Sequence, residues 1–409
     1  MASLRFMGIL VAGLLATVGS ARADPLDKPA ITRSDLVYLG AFAVPGSACG
    51  RVDPDHADTM FTSAGIALRR VNGALRFFGA VHVYSGSLVY EMAYPGLGPA
   101  DRPPVATVVG EPCDVYRGRK TSSDNPGTLD GGLPTHGLMW DAARGRLYWS
   151  YGHWYDTFGD NPVLGWARLG PGGTVTAHGP WRFRTVAGIG PKAVRGGTTR
   201  IPKWFADRFT GGATLGLGFG GYYSIIGTGG GQLGPALVAT TDPGDATTRM
   251  RAVPLLGHPV DHPAARDTSY RSLIDGSPTG GRGRWQWSDS IEGAGVWIDT
   301  PTKQGMLFVA TMGTGRIAYE GGTITTEGWE TVVYVYHPRQ LAEVAAGTRK
   351  PWQATPSSRF TLTLPAGVRV SGAAFDPVQG RLYLHVLAAT RATGAIYPTP
   401  LVVAYRVRG

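Results

Sequence analysis

The amino-acid sequence predicts an all-β fold, a five-bladed β-propeller whose ring is closed by the N-terminal strand completing the last blade. Three observations support this prediction: a strand–turn–strand pattern recurs, its leading glycines are evenly spaced, and the last repeat lacks one strand. A long, fixed period of β units is typical of propellers. Helical patterns are sparse, the best being residues 337–347.

The repeat consists of a glycine, a short apolar strand, a turn ending in glycine and a second apolar strand. It is clear at 63–82, 135–156, 293–315 and 371–386, and looser at 216–230. The leading glycines lie 72 to 79 residues apart: Gly65, Gly137, Gly216, Gly295 and Gly372. Full periods hold four strand-like runs separated by turn residues, so each period predicts one four-stranded blade.

The last repeat has only three strands, and segment 35–45 has the pattern expected of the missing outer strand. Pairing it there would hide two sheet edges. The predicted limits are a signal peptide at 1–23 and one propeller domain at 24–409. The predicted blades are about 62–114, 135–186, 212–257, 293–365 and 370–408 plus 35–45.

The chain begins with features of a bacterial-type signal peptide. Arg5 precedes an apolar run at 6–18, and an A-x-A site ends at Ala23. The apolar run is too short to span a membrane, so we expect a secreted or periplasmic protein cleaved after Ala23. Export favours a disulfide between Cys49 and Cys113, which fall in corresponding loops of neighbouring blades.

The formal net charge of +10 becomes +8 once the two arginines of the signal peptide are removed. This charge favours acidic partners, although a solvated basic surface is an equal alternative. Lys and Arg are scattered without the runs typical of nucleic-acid arms. The expected partner is a neutral or anionic polysaccharide or oligosaccharide, with no nucleic acid and no membrane insertion, and the expected state is a monomer.

Several conspicuous residues are interpreted as structural. Three aspartates occupy one turn position, where a carboxylate accepts hydrogen bonds from its own turn backbone; they are Asp141, Asp299 and Asp376. Tyr148, Phe308 and Tyr383 are predicted core residues. The G-x-G-x-x-G at 229–234 is followed by Pro235 and a strand, so it lacks the helix that a dinucleotide site needs.

Long loops at 45–62, 111–134, 187–211 and 258–292 should gather on one face of the ring, where binding residues are expected. His136 directly precedes Gly137. If Asp141 pairs with Arg146, His136 should lie opposite Tyr151, with His153 one diagonal away. The two imidazoles are candidate catalytic groups at the mouth of the ring.

The same loops hold further candidates. Trp154, Trp285 and Trp287 are suited to stacking on sugar rings. No cofactor is expected to be required, but the oxygens of Asp156, Asp160 and Asn161 form a candidate Ca²⁺ site.

The chain resembles known proteins in three respects. These are its expected export, its number of repeats, and the placement of aromatic, His, Tyr and acidic residues at the mouth of the ring. The whole mature chain resembles, in architecture only, five-bladed carbohydrate-active propellers of the glycoside hydrolase and polysaccharide lyase types. No specific family motif matches, so the resemblance implies a carbohydrate-directed activity but no catalytic residue.

Three functions follow as alternatives. A lyase acting on a uronic-acid polymer needs a base, a proton donor and a cation on the carboxylate. Those roles would fall to His136 or His153, to Tyr222 or Tyr223, and to Arg282, Arg284 or Lys203. A hydrolase needs two carboxylates, for which Glu292 with Asp130 or Asp58 is the candidate pair. The third alternative is a non-catalytic carbohydrate-binding or structural propeller.

Overall fold

The fold was derived from a computed structural model, which describes residues 24–50, 59, 65–120, 135–152, 161–194, 196–218, 232, 234–241, 249–259, 290–320, 323–365, 367, 369–394 and 397–409. The described strands form five antiparallel sheets of four strands each. The prediction of an all-β, five-bladed propeller is therefore confirmed.

The strands follow one another along the chain as one N-terminal strand and five sheets. The N-terminal strand is β1 (Leu36–Ala43). The first sheet contains β2 (Ala67–Val71), β3 (Ala74–Ala80), β4 (Val89–Ala93) and β5 (Val108–Cys113). The second contains β6 (Thr135–Asp141), β7 (Arg146–Tyr151), β8 (Pro162–Leu169) and β9 (Val175–Arg182).

The remaining sheets include three short helices in their connections. After helix α1 (Pro191–Val194), the third sheet contains β10 (Thr198–Arg200), β11 (Leu215–Gly218), β12 (Leu237–Thr240) and β13 (Ala252–Leu256), with α2 (Lys203–Phe209) between β10 and β11. The fourth contains β14 (Ser290–Asp299), β15 (Gln304–Glu320), β16 (Thr323–Tyr336) and β17 (Ser358–Thr361), with α3 (Pro338–Ala345) before β17. The fifth contains β18 (Val370–Asp376), β19 (Arg381–Thr390) and β20 (Thr399–Val407). No helix in these described ranges is long and apolar enough to cross a membrane.

The innermost strands of the five sheets contact one another in the order β2, β6, β10, β14, β18 and back to β2. This arrangement corrects the prediction for the third blade. Gly216 lies in the second strand, β11, where it pairs with Thr199 of the inner strand. The inner strand β10 falls within segment 187–211, which was predicted to be a long loop. Gly216 is therefore not the repeat glycine of this blade.

The ring is closed by β1, as predicted. It pairs antiparallel with β20 from Leu36 opposite Val407 to Ala43 opposite Leu401. The order β1-β20-β19-β18 gives the last sheet its fourth strand. Because the first and last parts of the chain share one sheet, backbone hydrogen bonds join the two ends of the ring.

The predicted turn and core residues have the expected structural roles, with one difference. Asp141 and Asp376 each accept a hydrogen bond from the backbone N–H two residues later, at 3.1 and 3.0 Å. Asp299 instead accepts from Lys28 Nζ at 2.6 Å and from Trp204 Nε1 at 2.8 Å, so it anchors the segment before β1. The predicted core residues are buried: Tyr148, Phe308 and Tyr383.

The predicted disulfide is present between Cys49 and Cys113, whose Cα atoms lie 5.6 Å apart. Cys49 follows β1, and Cys113 ends the outer strand of the first sheet. The bond therefore connects the closing strand to the neighbouring blade. Glu111 supports the same junction, since its carboxylate accepts a hydrogen bond from the Cys49 N–H at 2.7 Å.

We expect the double variant Cys49→Ala/Cys113→Ala to unfold at a lower temperature than the wild type. The cysteines are 64 residues apart, and cross-linking a loop of that length stabilises the native state by roughly 4 kcal/mol, less any native strain. Thermal unfolding of both proteins, with and without reductant, measures the difference. If reductant leaves the wild-type melting temperature unchanged, the bond does not stabilise the ring.

Candidate functional site

The candidate site lies where the loops between blades reach the inner strands, which we call the long-loop face. His136 is the second residue of β6 and is half-buried there. Its carbonyl accepts a hydrogen bond from the Gly65 N–H of the neighbouring blade at 2.6 Å. The inner strands of the first two blades therefore meet at His136.

The predicted register around His136 is wrong by one residue. Asp141 pairs with Arg146 as expected, but a β-bulge between Thr135 and Gly137 places Thr135 opposite Tyr151. At the bulge, the register passes from Thr135 opposite Tyr151 directly to Gly137 opposite Ser150, so His136 is the extra residue of its strand. The direction of the His136 side chain therefore cannot be deduced by counting residues along the strand.

The last blade has a bulge at the corresponding position, where Ser371 precedes Gly372. The Ser371 hydroxyl lies 2.8 Å from Nδ1 of His385 on the next strand, and both residues are buried. Burial lowers the pKa of His385 to about 4. This imidazole is therefore neutral at neutral pH and can accept the hydroxyl proton of Ser371 in its hydrogen bond.

A network of polar groups joins the loop after β5 to the start of β6. The Tyr116 hydroxyl donates to the carbonyl of Ser87 at 2.6 Å and lies 2.6 Å from the Thr135 hydroxyl. Since the phenol has one hydrogen and the carbonyl must receive it, Thr135 donates to the Tyr116 oxygen. Burial raises the pKa of Tyr116, so the phenol stays protonated and the network fixes the loop beside His136.

Lys120 is a buried cation on the described part of this face. Its Nζ lies 3.6 Å from the centre of the Tyr116 ring, and the residue is buried. Burial lowers the pKa of its ammonium group to about 7, against the opposing effect of the Asp114 carboxylate. An amine with such a pKa is partly neutral at pH 7 and is able to accept a proton.

His82 contributes to the same face, at the end of the second strand of the first blade. Its carbonyl accepts hydrogen bonds from Ser85 and Ser87, so it belongs to the turn that also carries the Tyr116 contact. Burial lowers the pKa of its imidazole. In the described part of this face, burial therefore lowers the pKa values of three basic groups: His82, Lys120 and His385.

Most other candidate residues lie outside the described part of the chain. They are Asp58, Asp130, His153, Trp154, Asp156, Asp160, Tyr222, Tyr223, Arg282, Arg284, Trp285 and Trp287. Glu292 is described by its backbone alone, as part of the inner strand β14. These residues remain predictions, and so does the carboxylate pair of the hydrolase alternative.

The structure does not bring Lys203 together with His136. Lys203 begins α2, which connects β10 to β11 on the face of the inner hairpin turns, opposite the long-loop face. Its ammonium group pairs with Asp207 at 2.5 Å, and its side chain is 81 % exposed. It is therefore a solvated residue of a short surface helix.

The candidate Ca²⁺ site has one described member, Asn161. It is buried, and its carbonyl accepts a hydrogen bond from the Phe183 N–H at 3.0 Å. Within the described ranges, no group of three or more His, Cys, Asp or Glu residues is placed to hold a metal ion.

Sequence reasoning missed Lys120, Tyr116 and the pair Ser371–His385. A lysine at the start of a polar loop has the pattern of a solvated residue, so its burial is a property of tertiary packing. His385 did carry a signal, because it interrupts the apolar strand "LYLHVL". A polar residue in such a run indicates a buried hydrogen bond or a site at the strand's end.

No family model and no curated protein matches this chain. Among solved structures, it is similar to an exo-1,5-alpha-L-arabinanase from a bovine ruminal metagenomic library, at 11% identity over 87% of this chain and 95% of that one, with a TM-score of 0.42. It is also similar to a GH43_1 enzyme from Xanthomonas citri, at 15% identity over 83% and 86% of the two chains, with a TM-score of 0.38.

A further similar structure is an N-acetylgalactosamine deacetylase from F. plautii in complex with blood group B trisaccharide. The identity is 10%, the coverage is 91% of this chain and 95% of that one, and the TM-score is 0.42. Likenesses at this level assign neither an activity nor an active-site residue to this chain.

We expect Lys120 to make the stability of the protein depend on pH. Between its folded pKa of about 7 and its ordinary value of 10.5, the unfolded chain binds a proton that the folded chain does not. Stability should therefore rise with pH in that window, by at most about 1.4 kcal/mol per pH unit.

The measurement is urea unfolding of the wild type and Lys120→Met at several pH values from 7 to 10.5. The unfolding free energy of the wild type, relative to that of the variant, should increase with pH. A constant difference would show that the lysine keeps its ordinary pKa in the folded protein.

Proposed function

We propose that the long-loop face binds an anionic saccharide and that the protein is a lyase cleaving a uronic-acid polymer by β-elimination. The single observation behind this choice is the packing around Lys120, a buried amine 3.6 Å from the Tyr116 ring centre, and burial lowers its pKa to about 7, in the range of a general base. It packs on Tyr116, which is hydrogen-bonded to the residue preceding His136. The net charge of +8 expected after loss of the leader suits an acidic substrate.

In the proposed reaction, a neutral amine or imidazole removes the proton from C5 of the uronate. The electron pair forms the C4–C5 double bond as the C4–O bond breaks, and the leaving oxygen receives a proton. Lys120 and His136 are the described candidates for the base, with His153 as the alternative. Tyr222 or Tyr223 would donate the proton, and Arg282 or Arg284 would neutralise the substrate carboxylate.

The same proposal includes the remaining loop residues. Trp154, Trp285 and Trp287 would stack on sugar rings, and Ca²⁺ at Asp156, Asp160 and Asn161 would be a supporting ion and not a reactant. If the reaction is hydrolysis instead, Glu292 with Asp130 or Asp58 would be the reacting pair. The third alternative is a protein that binds the saccharide without cleaving it.

Variants at Lys120 and His136 test the proposed chemistry. With pectate and alginate as substrates, Lys120→Met or His136→Ala should lower kcat by about 10²- to 10⁴-fold, the usual contribution of a general base. The readout is the ultraviolet absorbance of the unsaturated product, measured beside reducing-end release. For the wild type, kcat should rise as pH passes through about 7 and the Lys120 amine loses its proton.

Lys203→Met is the matched control, because it removes an exposed lysine from the opposite face. It should leave kcat unchanged, and circular dichroism should show that all variants fold. Reducing ends without unsaturated product would replace the lyase by a hydrolase. If wild type and Lys120→Met act equally fast, Lys120 has no part in the reaction.

We also propose that the protein is exported and loses residues 1–23. The Cys49–Cys113 bond supports export, since disulfides persist mainly in oxidising compartments. N-terminal sequencing of protein recovered from the periplasm or the medium should begin at Asp24. An intact Met1 in that material would refute cleavage after Ala23.

A further inference from the structure

The ring has a cavity at the end of the axis formed by the inner hairpin turns. Its volume is about 300 Å³, and it is lined by residues of all five inner strands: β2, β6, β10, β14 and β18. This volume lies at the lower end of the range for small-molecule sites. The cavity is on the opposite side of the inner-strand glycines from His136, so it is distinct from the site proposed above.

The walls of this cavity are largely apolar. Ile66, Leu138 and Val296 line it and are almost fully buried, and Trp140 adds an aromatic surface. Transfer of an apolar group from water into such a space is favourable by roughly 25 cal/mol per Å² of surface removed from solvent. The apolar walls therefore select a ligand with an apolar body.

Three arginines also line the cavity, and each is held by a carboxylate. Arg69 binds Glu91 through Nε and one Nη, both at 2.5 Å, and its guanidinium lies 5.0 Å from the Phe78 ring centre. Arg70 pairs with Asp376 at 2.5 Å. Arg200 pairs with Asp141 at 2.6 Å. These contacts hold the guanidinium groups in place in the absence of a ligand.

The charges of this cluster do not balance. Arg76 also approaches Glu91, at 3.7 Å, and Arg144 shares Asp141 with Arg200. The ion pairs therefore combine five arginines with three carboxylates. The Arg200 side chain is 54 % exposed, and one of its Nη atoms donates a hydrogen bond to Asp141. Among the described residues, the other N–H groups of this guanidinium have no hydrogen-bond partner. The rim of the cavity consequently favours an anion.

We propose that this cavity binds a small amphipathic anion, a monocarboxylate with an aromatic or branched aliphatic body. The apolar body would occupy the space between the inner strands, and the carboxylate would accept hydrogen bonds from Arg200 at the rim. The site is formed on the rigid hairpin turns and is independent of the activity proposed for the long-loop face.

Calorimetric titration of the full chain with 4-phenylbutyrate tests this site, with 4-phenylbutyramide as the neutral ligand of the same shape. We expect one site per chain with a Kd tighter than about 1 mM. The amide should bind at least about tenfold more weakly. Higher salt should weaken the carboxylate and leave the amide unchanged, because only the former relies on charge.

The diagnostic variant is Arg200→Gln, which keeps Arg144 and the turn backbone as partners for Asp141. Arg391→Gln is its control, since it makes the same charge change in an exposed loop after β19, on the long-loop face. Arg200→Gln should weaken 4-phenylbutyrate at least about tenfold, while Arg391→Gln should match the wild type.

Three results would each overturn the proposal: no binding of 4-phenylbutyrate to the wild type, equal affinity for the amide, or equal affinity in the two variants. Thermal unfolding of both variants shows whether either substitution causes a general loss of structure. If one does, the comparison of the acid with the amide on the wild-type protein alone decides the proposal. Lyase or hydrolase activity is measured separately, and its absence has no bearing on this cavity.

Discussion

The architecture depends on how closely the inner strands approach one another at the axis. A Cβ at Gly137 would lie 2.5 Å from Ser150 Oγ and 2.7 Å from the Thr198 backbone nitrogen, and one at Gly372 would lie 2.8 Å from Gly65 Cα. Real side chains do not tolerate such distances to backbone atoms. Glycine at these positions therefore permits the blades to pack around a common axis, and the Gly65–His136 hydrogen bond joins two of them directly.

That constraint also divides the axis into two environments. Loops that connect one blade to the next end beside the glycines on one side, and the inner hairpin turns begin on the other. Each side is stabilised differently: hydrogen bonds of Tyr116, Thr135 and Ser87 on the long-loop face, and ion pairs between neighbouring blades on the hairpin face. Arg70–Asp376 and Arg200–Asp141 each connect adjacent blades, so the turn aspartates have a second role in ring closure.

Fold class, blade number and closure by residues 35–45 could be predicted because strand periodicity and turn glycines are local properties of the sequence. The third blade could not, since its inner strand has only three residues and its hairpin connection contains α2. At the site, the repeat pattern pointed to His136, which lies in the inner strand β6. The β-bulge that orients His136 and the burial of Lys120 arise from packing between blades, which no single segment encodes.

The two faces differ most in the effect that burial has on their ionisable groups. On the hairpin face, the buried carboxylates of Glu91, Asp141 and Asp376 are each paired with arginine, and these pairs contain more arginines than carboxylates. On the long-loop face, burial lowers the pKa values of His82, Lys120 and His385, so the two imidazoles are mainly uncharged and the amine is partly uncharged at neutral pH. Uncharged nitrogens accept protons but do not neutralise a carboxylate. A uronate bound at the long-loop face would therefore need a permanent cation beside such a base, and the proposed role of Arg282 or Arg284 follows from that requirement.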